Sequence, residues 1–306
     1  MMYLLMLLGV KNVYDLTSLI KRNILNFIRN KMTVFFSFLS VIIFLALYIL
    51  FIGKQFTNEQ GLAFLEPEFK LYLTAGIMLG GLFVLSTISL SFGMMGNFIT
   101  DLSQKKINGF LVTPVKRYKI LLSYYIATII VTTILSLFMW VIAYLYVGIF
   151  SGYWYSFGTV IYVSLIIIFF TFISSAIMIF ITTLLKSNGS FGALLGILVP
   201  VIGFASGIYL PLFMLGDTMT KVASLNPFTH MTIILKNILL KEPYKILAPR
   251  ITSSAIEMND IVFGTKQIGL FGNNISMPVI MIITIFLAFF LLFISYRKIV
   301  KRIGEC

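Results

Sequence analysis

One cysteine, Cys306, and one histidine, His230, are all that a chain of 306 residues carries of either type. A lone thiol excludes an intrachain disulfide and a cysteine metal cluster. A lone imidazole excludes the H-E-x-x-H zinc motif and every spacing that needs two histidines. Charge is also scarce: 11% of residues are charged, ten acids against 23 bases. No G-x-x-x-x-G-K-[ST] loop occurs, so the chain cannot cradle nucleotide phosphates in the P-loop manner. Ser174 and Ser175 lie in an apolar run that has no histidine or lysine to act as their general base. These absences predict a chain that is not an enzyme and holds no metal or cofactor of its own.

What is present is apolar. Hydrophobic residues make up 59% of the chain and mean hydropathy is +1.03, far from the mix of a water-soluble domain. A bilayer core of ~30 Å needs ~20 apolar residues in a helix. Six runs reach that length: Met32–Ile52, Leu71–Ile99, Ile120–Phe150, Thr159–Leu185, Ser190–Leu215 and Met277–Tyr296. They leave no stretch for a separate globular core, so residues 1–306 are expected to form one membrane domain. None of the six contains Asp, Glu, Lys, Arg or His. A charged side chain at a helix centre costs ~2.5–3.5 kcal/mol on insertion scales and is usually kept for ion pathways. An ion-coupled secondary transporter is disfavoured on that ground. The net charge of +13 does not indicate nucleic acid either, because the basic residues sit between apolar runs and form no patch with interleaved aromatics.

Their distribution does give an orientation. Fifteen basic residues lie in the amino end, the 100–119 and 186–189 loops and the tail, where the only acids are Asp15, Asp101 and Glu305. The opposite side has eight basic residues and seven acids. Short loops enriched in Lys and Arg stay inside, so both termini are expected in the cytoplasm and 216–276 outside.

Three segments are more than spans. In residues 15–31, Leu16, Leu19, Ile20, Ile24, Phe27 and Ile28 recur at the three-and-four spacing of one helix face, with Lys21, Arg22, Arg29 and Asn30 on the other. With Asp15 as its amino-terminal cap, this reads as an interfacial helix in the headgroup plane. The apolar Met1–Gly9 before it reads as a retained tail on the membrane surface. The loop after the second span places Leu102, Ile107, Phe110 and Leu111 among basic residues before Pro114 restarts the chain. Apolar residues there either tuck beneath the bundle or meet a partner. After the fifth span, Pro200 and Pro211 interrupt an apolar run, and Phe228–Leu240 follows at 13 residues, too short to span. It is expected to be a re-entrant or interfacial helix begun by Asn226-Pro227, with His230 near its start. Close helix contacts are signalled by Gly76–Gly80, Gly192–Gly196 and Gly203–Gly207. The Asn274–Ser276 sequon is given no role.

This order, over nearly the whole length, resembles the permease subunits of type 2 ABC exporters. Asp101, Asn108-Gly109, Leu111, Thr113-Pro114 and Lys116-Arg117 fill the family's pattern between the second and third spans, with the acidic and glycine positions inexact. Gly207, Tyr209 and Pro211, then Asn226 and Pro227, match the end of the fifth span and the outer turn, although Leu215-Gly216 stands where a leucine-proline pair is common. The resemblance implies an all-α integral membrane fold of six transmembrane helices, with an amino-terminal interfacial amphipathic helix, a cytoplasmic coupling helix and a re-entrant outer segment. It implies a coupling helix made of Ile107, Gly109, Phe110, Leu111, Pro114, Lys116 and Arg117, against which cytoplasmic ABC ATPase subunits dock. ATP and Mg belong to that partner. A second permease copy or paralogue would pair around a path lined by the second and fifth spans, and membrane lipid surrounds the pair. An uncharged path suits a hydrophobic or amphipathic substrate: an antibiotic, an antimicrobial peptide or a lipid. The expected location is a bacterial plasma membrane. A non-transporting membrane anchor subunit or an ion-coupled secondary transporter is the alternative.

Overall fold

The computed structural model describes residues 2–47, 65–111, 115–250, 260, 263–266, 268–269 and 276–304. In chain order the helices are α1 (Met2–Arg29), α2 (Lys31–Leu47), α3 (Pro67–Ser103), α4 (Lys106–Leu111), α5 (Arg117–Ser151), α6 (Phe157–Thr183), α7 (Asn188–Ala205), α8 (Gly216–Ala223), α9 (Pro227–Leu247) and α10 (Met277–Gly304). A 3-10 turn, Leu212–Leu215, precedes α8, and another, Ala248–Arg250, follows α9. Among the described residues there is no strand. That suits hydrocarbon, where each backbone N–H and C=O must find its partner within the segment.

Five of these helices, α3, α5, α6, α7 and α10, are long and apolar enough to cross a bilayer. The first expected span, Met32–Ile52, is helical from Lys31 to Leu47, and its remainder lies outside the described residues. Side chains set the ends of the helices. Asn30 breaks α1 from α2 and caps the latter, its Oδ1 accepting from Thr33 N at 3.1 Å. Gly152, at φ +71°, closes α5 in the left-handed conformation that glycine tolerates. Ser156 and Ser187 accept from the backbone N–H groups of Thr159 and Ser190 to start α6 and α7.

Helix α3 is the axis of the molecule. Its 37 residues rise about 55 Å at 1.5 Å each, more than a bilayer core requires. It packs against α2, α5, α6, α7 and α9, and 94% of its most apolar window is buried, against 17% for α7 and for α10. Hydroxyl pairs lace it to two neighbours: Ser86 to Ser136 of α5 at 3.3 Å, and Thr87 to Ser174 and Ser91 to Ser175 of α6 at 3.0 and 3.1 Å. Thr133 and Thr171 join α5 to α6 at 2.8 Å. The serines that could not be nucleophiles are therefore interhelical contacts.

Three boundaries differ from expectation. Helix α1 starts at Met2, so Asp15 lies within it and caps nothing; its carboxylate sits 3.6 Å from Lys119. The apolar tail supplies enough helix-forming residues to continue the helix upstream. The fifth apolar run stops being helix at Ala205, because Gly207 takes φ +69° and Pro211 starts a new turn. The helix expected over Phe228–Leu240 runs 21 residues, Pro227–Leu247, and passes through Pro243. Its last two turns are polar, which hid them from a count of apolar residues.

Candidate functional site

Two clusters stand along α3, one at its last turn and one beside Gly80 and Gly81. The first gathers where α1, the last turn of α3 and the first turns of α5 meet. Leu19, Asn23 and Phe27 of α1 are buried, Leu16, Ile20 and Ile24 are half-buried, and Ile28 is exposed. The apolar stripe is thus pressed largely onto protein. Asn23 Nδ2 donates to Ser123 Oγ at 3.2 Å, and Asn97 Nδ2 donates to the Asn23 carbonyl at 3.2 Å. Beside them Asp101 Oδ2 accepts from both Arg22 Nη2 and Tyr124 OH at 2.6 Å. Asp101 is 4% exposed and lies at the carboxyl end of α3, where the helix dipole disfavours an anion. The Arg22 guanidinium supplies the opposing charge. Burial works against that cation, yet Tyr124 and Asp101 hold its pKa above the usual value.

The loop beyond begins with Lys105 at φ +56°, which turns the chain into the six-residue α4. Ile107 is 1% exposed and belongs to the chain's own core. Its side chain is therefore packed within the chain itself, while the helix that carries it is the one the resemblance makes the coupling helix. Gly109, Lys116 and Arg117 are exposed. Pro114 and the side chains of Phe110 and Leu111 lie outside the described residues.

The second cluster forms where α7 breaks. Asn226 accepts from Phe228 N at 3.1 Å, capping α9, and donates from Nδ2 to Ser206 Oγ at 2.9 Å. This joins the start of α9, at Pro227, to the end of α7. Tyr209 folds back over Gly203, where a Cβ would meet its ring at 2.3 Å. Pro211 is buried beside them and opens the 3-10 turn. Gly207, Tyr209, Pro211, Asn226 and Pro227 therefore come together in one joint. His230 sits in the first turn of α9, with Nε2 2.7 Å from the Ser224 carbonyl.

The Gly76–Gly80 pattern is the crossing of α3 with α9. A Cβ at Gly80 would lie 2.6 Å from Lys236 Cγ and 2.9 Å from its backbone nitrogen; one at Gly76 would lie 2.9 Å from Leu240 Cδ2. Gly192 and Gly196 have nothing within 4 Å of such a Cβ. They open onto a groove of about 660 Å³ between α2, α3 and α7, also lined by Thr33, Phe36, Asn97 and Phe191.

Two charged residues on α9 escaped the sequence reading. Glu242 accepts from Ser156 N and Oγ, Thr159 Oγ1 and Tyr72 OH, which pins the far end of α9 to the start of α6 and of α3. Burial alone would raise its pKa, but those hydrogen bonds hold the carboxyl below the usual range. Lys236 is buried, with Nζ donating to the Gly207 carbonyl at 3.3 Å. Burial pushes its pKa down to about 8. A lone lysine inside the apolar run MTIILKNILL was the available signal.

Apolar helices of spanning length around a buried axis define a multi-pass membrane protein, and among the described residues no three His, Cys, Asp or Glu side chains converge on a metal site. Residues 14–240 match the ABC-2 type transporter family, to which the chain belongs as a permease subunit. Membership implies partnership with ABC ATPase subunits. No curated protein matches the chain.

Proposed function

We propose that the chain is the membrane-spanning permease of an ATP-driven exporter, moving a hydrophobic or amphipathic substrate out of the cell with energy from a separate ATPase. Both termini face the cytoplasm, six helices span, and two permeases pair. The observation that carries this is the joint of α1, α3 and α5 around Asp101, directly before the α4 loop. Force applied to that loop reaches three helices at once, because Asp101, five residues before α4, binds Arg22 and Tyr124. The exposed Gly109, Lys116 and Arg117, with Phe110 and Leu111, form the ATPase contact. Ile107 anchors the loop to its own core. The joint from Gly207 to Pro227 is the outer gate, held between α3 and α7.

Uncharged runs support an apolar cargo and disfavour small ions. The test is co-purification of the ATPase with wild type and with Phe110→Asp, together with ATPase activity of the complex in the presence of candidate amphiphiles. A buried aromatic contact is often worth several kcal/mol to an interface. Loss of the ATPase from Phe110→Asp and stimulation by cargo are expected. Equal recovery of the ATPase would refute the docking site, and absence of stimulation by any amphiphile would refute export.

A further inference from the structure

Lys236 is a cation in an otherwise apolar setting, and its surroundings do not explain it. Three backbones close around its side chain: Gly80 of α3, Gly207 at the break after α7, and Gly264, where a Cβ would lie 3.3 Å from Nζ. An ammonium has three protons to donate. Here, among the described residues, it has one acceptor, the Gly207 carbonyl, at the long distance of 3.3 Å, and no carboxylate within 4 Å. Burying a charge without an opposite charge is unfavourable, and an apolar side chain of the same size would fill the space at no such cost. Glu242, two turns along the same helix, shows the contrast, since its charge is met by four donor groups on two other elements.

The position of that single acceptor gives the charge a use. Gly207 has φ +69° and sits where α7 ends, and only 17% of the most apolar window of α7 is buried, against 33% for α5 and 67% for α6. A shift of α7 would withdraw the carbonyl and leave the ammonium facing the space it vacates. We propose that Lys236 is a concealed counter-ion: masked by the Gly207 carbonyl in the unliganded chain, it binds the anionic head of an amphiphile that displaces that carbonyl. The inference rests on the export reading for its biological meaning and narrows the cargo to amphiphiles bearing a phosphate, sulfate or carboxylate. The same head chemistry could belong to exported cargo or to bilayer lipid.

The test is equilibrium binding to the purified permease in nanodiscs of zwitterionic lipid, using dodecyl phosphate and the neutral dodecyl maltoside as probes. Wild type is expected to bind dodecyl phosphate at least tenfold more tightly, after correction for partition into empty discs. Lys236→Met and Lys236→Gln are expected to abolish the preference while retaining the thermal transition. Lys241→Met, which removes an exposed cation from the same helix, is expected to keep it. Substituting anionic lipid in the disc distinguishes the sources: competition with the probe assigns the site to lipid, and its absence assigns it to cargo. No preference in wild type, or one that survives in both Lys236 variants, overturns the proposal. Because binding needs no ATPase, its failure is distinguishable from a failure of ATPase stimulation, which would strike the export reading.

Discussion

Asp101 and Arg22 are both charged and bonded to each other, yet removing one should not cost what removing the other does. The Asp101 side chain is 5% exposed and that of Arg22 is 28% exposed. Arg22→Met leaves a carboxylate buried with Tyr124 as its remaining partner, and stranding a buried charge costs roughly 3–5 kcal/mol. Tyr124 still donates, so the low end, about 3 kcal/mol, is expected. Asp101→Asn keeps an acceptor for Tyr124 and leaves the guanidinium close enough to solvent to find water, so about 1–2 kcal/mol is expected. In the double variant neither charge is stranded, and it should be more stable than Arg22→Met alone. That rescue implies a coupling of roughly 1.5–3 kcal/mol. Reversible unfolding of the purified permease, followed by the transition midpoint of the four proteins, measures it. Additive losses would refute the account of the joint, as would Asp101→Asn costing more than Arg22→Met.

Gly80→Ala and Gly192→Ala should separate used from unused glycine. At Gly80 the new methyl meets the backbone of Lys236, which cannot swing aside, and overpacking of this kind costs about 1–3 kcal/mol. At Gly192 it meets nothing, so a melting midpoint unchanged or slightly raised is expected. Glu242 predicts an acid limb. Its folded pKa lies below that of a free glutamate, so its stabilisation is fully present above the free value and is lost as pH falls through the depressed one. The stability gap between wild type and Glu242→Gln should therefore be constant from pH 7 to about 5 and shrink below about pH 4. A gap that widens on acidification would reverse the assigned direction.

The spans were legible because hydrocarbon allows so few solutions. An uncharged run near 20 residues has to be helix, and five of the six runs are helices of spanning length. Ends were less legible wherever polarity and helicity part company. Lys241, Glu242 and Lys245 extend α9 by two turns that an apolar count leaves out, and Gly207 ends α7 although the run continues as Ile208-Tyr209-Leu210. Within the sites, Gly207, Tyr209, Pro211 and Asn226 were visible because turns and caps demand particular residue types. Arg22 and Asp101 were not paired in advance because they are 79 positions apart and each had a sufficient local explanation, as a headgroup anchor and a loop acid. Lys236 was counted with the loop that carries it, which concealed that its side chain points into the bundle.

The packing also limits how such a permease can move. An exporter whose path is lined by the second and fifth spans would be expected to tilt both, but α3 and α7 are very unequal candidates. Moving α3 by itself would break four hydroxyl contacts to α5 and α6, each worth ~0.6 kcal/mol in a membrane bundle, and unseat α9 from Gly76 and Gly80. The hydroxyl contacts are the small part of that loss; the larger is a helix buried over 94% of its apolar window. Helix α7 is the more loosely held: only 17% of its most apolar window is buried, with Phe191 tilted against Phe92 and, just past the helix end, the Asn226–Ser206 and Lys236–Gly207 bonds. Rigid-body exchange is therefore expected between α7 on one side and the block of α3, α5, α6 and α9 on the other. On the proposed export reading, the Arg22–Asp101 joint would move the block as a unit, with Gly207 as the hinge at which the two bodies part.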